Sequence, residues 1–217
     1  MKGFFSIFES LLNELFPVLC FKCGKRGAYI CTDCISRMPK TTLDEPDFIS
    51  VFAYKDETIR HLLSVLKYKS GRDIARICGA LIYEELCALL SERALFGEFE
   101  KPIIIPVPLS ESRARERGFN QAELIAQEVA GAEKTFELCT GVLVKRKETR
   151  PQATIKNRAE RLKNIVGCFH IVHPEKIHGR NIILIDDIYT TGGTMKEARK
   201  VLEQAGARNI LCATVAH

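Results

Sequence analysis

The sequence predicts an α/β fold, with a mainly parallel sheet flanked by helices and a small cysteine-knuckle module at the amino terminus. Short apolar runs alternate with longer segments whose apolar residues recur at helical spacing, which is typical of parallel sheets. Four cysteines crowd into residues 20–34. The composition, 46% hydrophobic and 27% charged, is that of a globular chain and argues against disorder.

Residues 4–16 predict an amphipathic helix, because their phenylalanines and leucines recur on one helical face. Glu9 and Glu14 interrupt the apolar stretch and no small-residue cleavage site follows, which disfavours a signal peptide. The polar face lacks basic residues, so packing against the protein is favoured over the alternative, a membrane surface. No apolar run reaches the roughly 18 residues of a membrane span, and we expect a cytoplasmic location.

The next segment carries the spacing C-x2-C-x7-C-x2-C, which can wrap four thiolates around a zinc ion. The predicted ligands are Cys20, Cys23, Cys31 and Cys34. The zinc would be structural, because so short a segment cannot bury a core of its own. Disulfides are the alternative, which a cytosolic context disfavours. The other five cysteines lie in apolar stretches and are expected to be small buried hydrophobes.

Prolines and the acids Asp44, Glu45 and Asp47 indicate a linker near residues 39–46. We therefore assign residues 1–42 to the amphipathic helix and zinc module, and residues 43–217 to a second domain. The strands predicted in that domain cover residues 48–54, 102–109, 141–146, 167–172, 181–186 and 208–215. The predicted helices cover residues 57–68, 74–89, a segment capped by Asn120, and 195–205. In such sheets ligands bind beyond the carboxyl ends of the strands.

The segment NIILIDDIYTTGGTM combines a buried strand with the features of an anion site. Asp186 and Asp187 end the strand and should face the crevice. The chain from Tyr189 to Gly193 must then turn tightly before a helix that Thr194 can cap, with Glu197 in the matching capping-box position. Backbone amides, hydroxyls and the helix dipole suit a phosphate there. The acids would repel a phosphate, so we expect them to hold ribose hydroxyls or magnesium.

Other ligand folds with an acidic strand end fit the sequence less well. A P-loop nucleotidase would need G-x-x-x-x-G-K-[ST], and a dinucleotide fold would need G-x-G-x-x-G after a strand; the chain has neither. A response-regulator receiver would need more than the thirty residues that follow Asp187. An acidic strand end before an ordinary capped helix is the remaining, purely structural interpretation.

Three segments together resemble a known family. IILIDDIYTTGGT resembles the phosphoribosyl pyrophosphate motif of type I phosphoribosyltransferases. VPLSESRARERGFNQAEL resembles their pyrophosphate-binding turn, and VKRKETRPQATIKNRAERLKNIVGCF resembles the mobile basic loop that covers the site. With the cysteine knuckles, the chain resembles the ComF family, competence proteins associated with uptake of transforming DNA. The resemblance implies a type I phosphoribosyltransferase-like fold that binds 5-phosphoribosyl 1-pyrophosphate with magnesium.

The resemblance also implies roles for individual residues. Asp186 and Asp187 would hold the ribose diol, directly or through magnesium. The segment that would bind the sugar phosphate consists of Tyr189, Thr190, Thr191, Gly192, Gly193 and Thr194. The residues that would face the pyrophosphate are Arg113, Arg117, Gly118 and Asn120. The two aspartates and two arginines are the candidate catalytic residues, because departing pyrophosphate concentrates negative charge that arginine can stabilise.

The net charge of +5 is unevenly placed, and residues 145–163 hold eight Lys or Arg against two Glu. The basic residues singled out in this loop are Lys145, Arg146, Arg150, Arg158 and Arg161. They would close over the ligand, bind single-stranded DNA through its phosphates, or form a solvated surface with neither role. Lys67, near the end of a predicted helix, would add to a positive rim around the ligand site. Alternatively, it is there only because the carboxyl end of a helix favours a cation.

Two functions of different class follow from this reasoning. In the first, the protein transfers phosphoribosyl to a nitrogenous acceptor and releases pyrophosphate. In the second, it is a non-catalytic sensor or adaptor of the DNA-uptake machinery that binds the activated sugar or single-stranded DNA. Tyr189 is placed to stack on a planar acceptor or to serve as a structural aromatic. The sequence does not indicate the acceptor.

Overall fold

The computed structural model describes residues 17–41, 45–68, 71–95, 99–132, 136–146, 157, 160 and 164–217. In chain order the strands are β1 (Phe48–Phe52), β2 (Ile103–Pro106), β3 (Glu137–Leu138), β4 (Leu143–Lys145), β5 (Phe169–Ile171), β6 (Asn181–Ile188) and β7 (Asn209–Ala216). The helices are α1 (Thr32–Ile35), α2 (Glu57–Val65), α3 (Gly71–Ala94), α4 (Glu111–Arg117), α5 (Gln121–Ala132) and α6 (Gly193–Gln204), with a 3₁₀ turn at Pro174–Lys176.

Five strands form a parallel sheet in the order β1-β7-β6-β2-β3, which confirms the predicted fold class. The central strand β6 pairs with β7 on one side and with β2 on the other. After β2 the chain goes on to β3 at one edge, whereas after β6 it returns through α6 to β7 in the opposite direction. Such a reversal opens a crevice between two carboxyl ends, and here it lies between β2 and β6.

The sheet is buried on both faces, which explains why its strands are apolar without alternation. Successive side chains of a strand point to opposite faces. In β6, Ile183 and Ile185 pack in the core formed with α3 and α5, whereas Ile182 and Leu184 pack in the core beneath α6. All four are fully buried. Asp186 and Asp187, which follow this apolar run, are also buried but border a cavity at the end of the sheet.

Helices α3 and α5 lie close together on one face because Gly79 has no side chain. A Cβ built on Gly79 would lie 2.5 Å from the Cβ of Glu128, closer than real Cβ contacts allow. This close approach fixes α5, whose first residues border the crevice. Gln121 is the first residue of α5 and is 5% exposed.

The structure differs from the predicted elements in three places. The strands predicted at 141–146 and 167–172 do not join the main sheet; β4 and β5 form a separate antiparallel pair. The short strand β3 takes the edge beside β2 instead. The segment predicted as a pyrophosphate-binding turn contains a helix of seven residues, α4.

The cysteine segment packs directly against α2 and α3. Cys20, Ile30 and Met38 belong to the same buried apolar cluster as α2 and α3. The ring of Phe21 meets the ring of His61 edge-on, with centroids 4.4 Å apart. The predicted amphipathic helix over residues 4–16 and the predicted boundary after residue 42 fall outside the described residues.

None of the described helices is both long and apolar enough to cross a membrane. Helix α3, the longest at 24 residues, carries charged side chains from its first turn to its last. The cytoplasmic location stays a prediction.

Candidate functional site

A cavity of about 570 Å³ opens at the carboxyl ends of β2 and β6. Its apolar wall contains Val107, Pro108 and Leu109, which continue directly from β2. Its charged lining consists of Lys67, Arg113, Glu116, Arg117, Lys145, Asp186 and Asp187. Four cationic and three acidic side chains therefore share one crevice, an arrangement that suits a ligand with both anionic groups and hydroxyls.

Asp186 and Asp187 lie together at the end of β6 and are only 9% and 4% exposed. The backbone amide of Asp187 donates a hydrogen bond to Asp186 Oδ1 at 2.8 Å. Burial, together with the negative charge of Asp187, raises the pKa of Asp186 well above its ordinary value. A cation that reaches Asp186 would therefore stabilise its ionised form.

The second aspartate has one oxygen available to such a cation. Asp187 Oδ2 is buried and accepts no hydrogen bond from the described residues. Lys67 Nζ lies 3.5 Å from it, close enough for an ion pair but without hydrogen-bond geometry. Adjacent carboxylates with an unsatisfied oxygen are the donors that a hard cation such as Mg²⁺ prefers, so these residues fit magnesium or a ribose diol.

Residues 190–194, which we call the glycine loop, connect β6 to α6. Residues 188–195 enclose a second, smaller cavity of about 20 Å³. Gly192 has φ of +75° and precedes the first residue of α6, so the loop turns in a left-handed conformation that glycine favours. Thr190 and Thr194 also border the large cavity, so the helix amino terminus faces the crevice.

The predicted capping of this helix is wrong. Helix α6 begins at Gly193 rather than after Thr194, and no side chain among the described residues caps it. Glu197, expected in the capping box, accepts a hydrogen bond from the backbone amide of Gly167 at 2.7 Å. The first backbone amides of α6 are therefore not occupied by a capping side chain. Such amides can bind an anion, which the predicted cap would have hindered.

Of the two roles that the sequence allowed for Tyr189, the structure favours that of a structural aromatic. Its ring is 5% exposed and packs against Phe48 and His217, with centroids 5.0 and 5.4 Å away. Its hydroxyl donates a hydrogen bond to Glu45 Oε1 at 3.0 Å. A ring held in this way lies beneath the glycine loop and offers no open face to a planar acceptor, which corrects the stacking hypothesis.

Arg113 and Arg117 both line the cavity because they lie four residues apart on α4 and so share a helical face. Arg115 points elsewhere and is exposed. Arg117 Nη1 donates a hydrogen bond to Gln121 Oε1 at 3.0 Å, which ties it to the start of α5. The structure thus brings two of the three arginines to the aspartates.

The other two residues predicted at the pyrophosphate serve the backbone instead. Gly118 ends α4 with φ of +77°. Asn120 donates from its amide nitrogen to the Val107 carbonyl at 3.0 Å, and its Oδ1 accepts from the Ala122 amide at 3.1 Å. The predicted helix cap by Asn120 is present. Both residues shape the turn between α4 and α5 and, in the described part of the chain, neither lines the cavity.

Of the predicted basic loop, residues 145–163, the structure describes only residues 145, 146, 157 and 160. Lys145, the last residue of β4, lines the cavity. Arg146 is exposed, and its backbone amide donates to the Cys168 carbonyl at 3.0 Å. Arg150, Arg158 and Arg161 fall outside the described residues.

The cavity also contains residues that the sequence did not single out. Tyr54 follows the end of β1, Glu116 lies on α4, and Gln121 begins α5. Tyr54 carried a usable signal, because it follows a predicted strand end and such ends meet at one edge of the sheet. Glu116 and Gln121 carried none, since each is one of many polar residues in its segment.

The four predicted zinc ligands form a cluster whose sulfur atoms all lie within 4.8 Å of one another. Tetrahedral zinc–thiolate bonds of about 2.3 Å place sulfurs about 3.8 Å apart, so the cluster is compatible with zinc. None of the nine cysteines, all within the described residues, forms a disulfide. Burial raises the pKa of Cys20, but amide hydrogen bonds from Cys23, Cys31 and Lys22 outweigh it and lower the pKa to about 6.

The chain is similar in sequence to known proteins. Residues 115–217 match the family model of the phosphoribosyl transferase domain. Competence protein ComFC of Streptococcus pneumoniae is 31% identical over 164 residues, covering 74% of this chain and 64% of that protein. Competence protein F of Haemophilus influenzae is 29% identical over 196 residues, covering 88% of this chain and 81% of that protein.

The DNA utilization protein YhgH of Salmonella typhimurium is 28% identical over 209 residues, covering 91% of this chain and 85% of that protein. The chain is thus similar over most of its length to competence and DNA utilization proteins. Its phosphoribosyl transferase domain contains the aspartates, the glycine loop and Arg117, while Arg113, Lys67 and the cysteine cluster precede the matched range. The chain spans less than two thirds of the length of its pneumococcal relative.

Proposed function

We propose that the cavity binds 5-phosphoribosyl 1-pyrophosphate together with magnesium. The observation that carries this proposal is the meeting of two kinds of site in one crevice. Buried adjacent carboxylates lie at the end of β6, and the glycine loop begins two residues later. A pentose with a phosphate on its 5-carbon presents a diol and an anion that match these two sites.

The glycine loop would take the 5-phosphate. Its backbone amides lie at the amino terminus of α6, where the helix dipole is positive. Gly192 and Gly193 allow close approach, and Thr190 and Thr194 add hydroxyl donors at the cavity edge. The ribose diol would then lie against Asp186 and Asp187, which have no role in binding the phosphate because they would repel it.

The pyrophosphate would face Arg113 and Arg117, with Lys67 and Lys145 completing the cationic lining. Loss of pyrophosphate from C1 leaves a cation-like sugar and places negative charge on the leaving group, which paired arginines stabilise through charge-assisted hydrogen bonds. Magnesium, when bound, neutralises part of the pyrophosphate charge. The reaction we propose is transfer of the phosphoribosyl group to a nitrogenous acceptor.

The direct test measures binding and turnover separately. Zinc-loaded protein is mixed with phosphoribosyl pyrophosphate, magnesium and a panel of nucleobases, while calorimetry reports binding and a coupled assay reports pyrophosphate. Base-dependent release supports the transferase. Binding without release supports a sensor. The Asp186→Asn, Asp187→Asn double variant should lose binding, whereas Asp73→Asn, an exposed control on α3, should keep it. No binding by the wild-type protein would refute the proposal.

A second candidate function is suggested by the names of the relatives, which are competence and DNA utilization proteins. In this role the basic loop binds single-stranded DNA and the protein acts in DNA uptake, in contact with the uptake machinery. Such binding should weaken steeply with salt. Replacing Arg150, Arg158 and Arg161 by glutamine should lower the salt slope by about 2.

The matched control for that experiment removes Arg60, Arg76 and Arg208, which are exposed elsewhere on the protein. The control changes the net charge equally, so a similar loss of slope in both triple variants would show nonspecific attraction. A loss confined to the loop variant would support the DNA-binding role. Affinity that does not respond to salt would contradict it.

We further propose that the cysteine cluster holds one structural zinc ion. The segment has few buried apolar residues of its own, so coordination would supply the missing cohesion. Metal analysis should find about one zinc per chain. Cys20→Ser should lose it, whereas Cys87→Ser, which lies on α3 away from the cluster, should retain it.

A further inference from the structure

The carboxylate of Glu45 joins the two ends of the glycine loop. Tyr189, just before the loop, donates its hydroxyl hydrogen to Glu45 Oε1 at 3.0 Å. Lys196, in the first turn of α6, donates to the same oxygen at 3.1 Å. One oxygen atom from a distant part of the chain therefore holds the residues on either side of the loop.

The Tyr189 ring also supports the loop from below. A Cβ built on Gly192 would lie 2.5 Å from the Tyr189 hydroxyl oxygen and 2.7 Å from Cζ. The backbone of Gly192 thus rests on the ring. Phe48 and His217 pack around the same ring, so it cannot turn away without disturbing β1 and the end of the chain.

The charges around Glu45 favour its ionised form. Burial raises the pKa of Glu45, but the hydrogen bonds from Lys196 and Tyr189 outweigh burial and hold the pKa below its ordinary value. Two residues further on, Asp47 Oδ2 bonds Arg199 Nη2 at 2.9 Å and Asp47 Oδ1 bonds Arg93 Nη2 at 3.1 Å. The segment from Glu45 to Asp47 is therefore fastened to α6 at two points and to α3 at a third.

We propose that Glu45 and Tyr189 are positioning residues for the glycine loop, which they hold in its anion-binding shape. The inference rests on the proposed function, in which this loop takes the 5-phosphate. An ion pair between exposed groups contributes little by itself. Here the tyrosine is buried, and the shared oxygen constrains both ends of an eight-residue segment, 189–196, so breaking it should loosen the amides that would meet the phosphate.

The test uses three variants and one control. Tyr189→Phe keeps the ring and removes the hydroxyl. Glu45→Ala removes both hydrogen bonds, and Glu45→Gln keeps an acceptor for the tyrosine but loses the charge opposite Lys196. The control, Glu203→Gln, removes a carboxylate that pairs with Arg199 at the other end of α6. Ribose 5-phosphate binding is measured by calorimetry, and hydrogen exchange reports on the amides of residues 190–194 without any ligand.

Tyr189→Phe should exchange its loop amides faster and bind ribose 5-phosphate about three- to tenfold more weakly, as expected for one lost hydrogen bond. Glu45→Ala should show at least the same effect, and Glu45→Gln should fall between it and the wild type. Melting temperatures should fall by no more than about 4 °C, because a lost hydrogen bond costs about 1 kcal/mol. Glu203→Gln should match the wild type in loop exchange and affinity.

The results separate this inference from the function on which it rests. Unchanged loop exchange in both Tyr189→Phe and Glu45→Ala would overturn the inference. Faster exchange spread equally over β7 and all of α6 would also overturn it, because that is general destabilisation. A wild-type protein that binds neither ribose 5-phosphate nor phosphoribosyl pyrophosphate would overturn the proposed function, while faster loop exchange in the variants would still support the positioning role.

Discussion

Lys67 Nζ lies 3.5 Å from Asp187 Oδ2, so a lysine just after α2 meets the buried acid at the end of β6. The lysine is 34% exposed along its side chain, whereas the aspartate is 6% exposed. The pair joins two segments that are 120 residues apart in the sequence. It also brings a third cationic group to the wall on which we place the pyrophosphate arginines.

Removing Lys67 should leave the buried carboxylate of Asp187 without its ion-pair partner. We expect Lys67→Met to lower the free energy of unfolding by about 1 kcal/mol, less than the roughly 3–5 kcal/mol of a fully buried pair because solvent screens the lysine. In the Asp187→Asn background the same change should cost little. A double-mutant cycle from urea unfolding measures this coupling. Equal costs of Lys67→Met in both backgrounds would show that the contact contributes no stability.

The raised pKa of Asp186 predicts that its ionised form lowers the stability of the fold near neutral pH, although we propose that the same form binds the ligand. Burial and the neighbouring charge hold this pKa above its unfolded value of about 3.9, so the folded protein binds more protons than the unfolded one above that pH. Stability therefore falls as pH rises from about 4 through the folded pKa. Asp186→Asn removes the penalty and should raise the melting temperature near neutral pH by about 2–4 °C, while phosphoribosyl pyrophosphate binding weakens.

Thermal melts across pH check the sign of this effect. The gain in Asp186→Asn over the wild type should shrink as pH is lowered towards about 4, because the folded acid is then protonated and about half of the unfolded acid is too. Asp73→Asn, an exposed control, should show no such trend. A stability gain that is independent of pH would indicate that packing, rather than charge, caused it.

The parallel sheet could be predicted because its signals are local. The residues of β2 and β6 are apolar on both faces, and the structure buries both faces. The pairing of β4 with β5 could not be predicted, because strands of three residues show no periodicity that distinguishes one sheet from another. Whether β4 and β5 join the main sheet depends on which strand occupies its edge beside β2. That strand is β3, which has only two residues and was not predicted.

The candidate site was predictable where residue type and position agree, and not elsewhere. The aspartates and glycine loop follow one strand, so their proximity follows from the chain itself. Lys67 could be weighed only as one of two possibilities, because its meeting with Asp187 depends on how α2 packs. Thr194 fits a cap by residue type, yet the left-handed Gly192 lets the helix begin earlier. The cap predicted at Asn120 was correct. Because its side-chain amide bonds the backbone at Val107 and Ala122, Asn120 is not available to bind the pyrophosphate.

The conformation of Gly192 predicts a specific intolerance to alanine. Its φ of +75° strains any other residue, and the new Cβ would press on the Tyr189 hydroxyl. Gly192→Ala should lower the free energy of unfolding by about 1–3 kcal/mol and weaken ribose 5-phosphate binding. Gly131→Ala is the matched control, because Gly131 lies in α5 and a Cβ there meets nothing within 4 Å.

In the control, replacing a helical glycine should raise stability by about 0.5–1 kcal/mol. Chemical denaturation of the two variants compares the opposite signs directly. The Gly192→Ala effect should persist in a Tyr189→Phe background, because φ strain remains and the ring carbon Cζ would still lie 2.7 Å away. Wild-type stability in Gly192→Ala would show that the loop adopts another shape.

The arrangement of α4 allows the pyrophosphate subsite to be tested apart from the phosphate subsite. Arg113 and Arg117 face the cavity and Arg115, between them, does not. Replacing the two lining arginines by alanine should weaken phosphoribosyl pyrophosphate binding by at least about tenfold, since each charge-assisted hydrogen bond contributes about 1.5–3 kcal/mol. Binding of ribose 5-phosphate, which has no pyrophosphate, should change little.

Arg115→Ala is the control, because it removes the same charge from the same helix without touching the cavity. Calorimetric titration of both ligands into the three proteins gives the comparison. Equal losses for both ligands would mean that α4 supports the site as a whole rather than the pyrophosphate, since only the diphosphate group distinguishes them. A loss in Arg115→Ala as large as in the double variant would point to long-range attraction, which added salt would screen over about 10 Å.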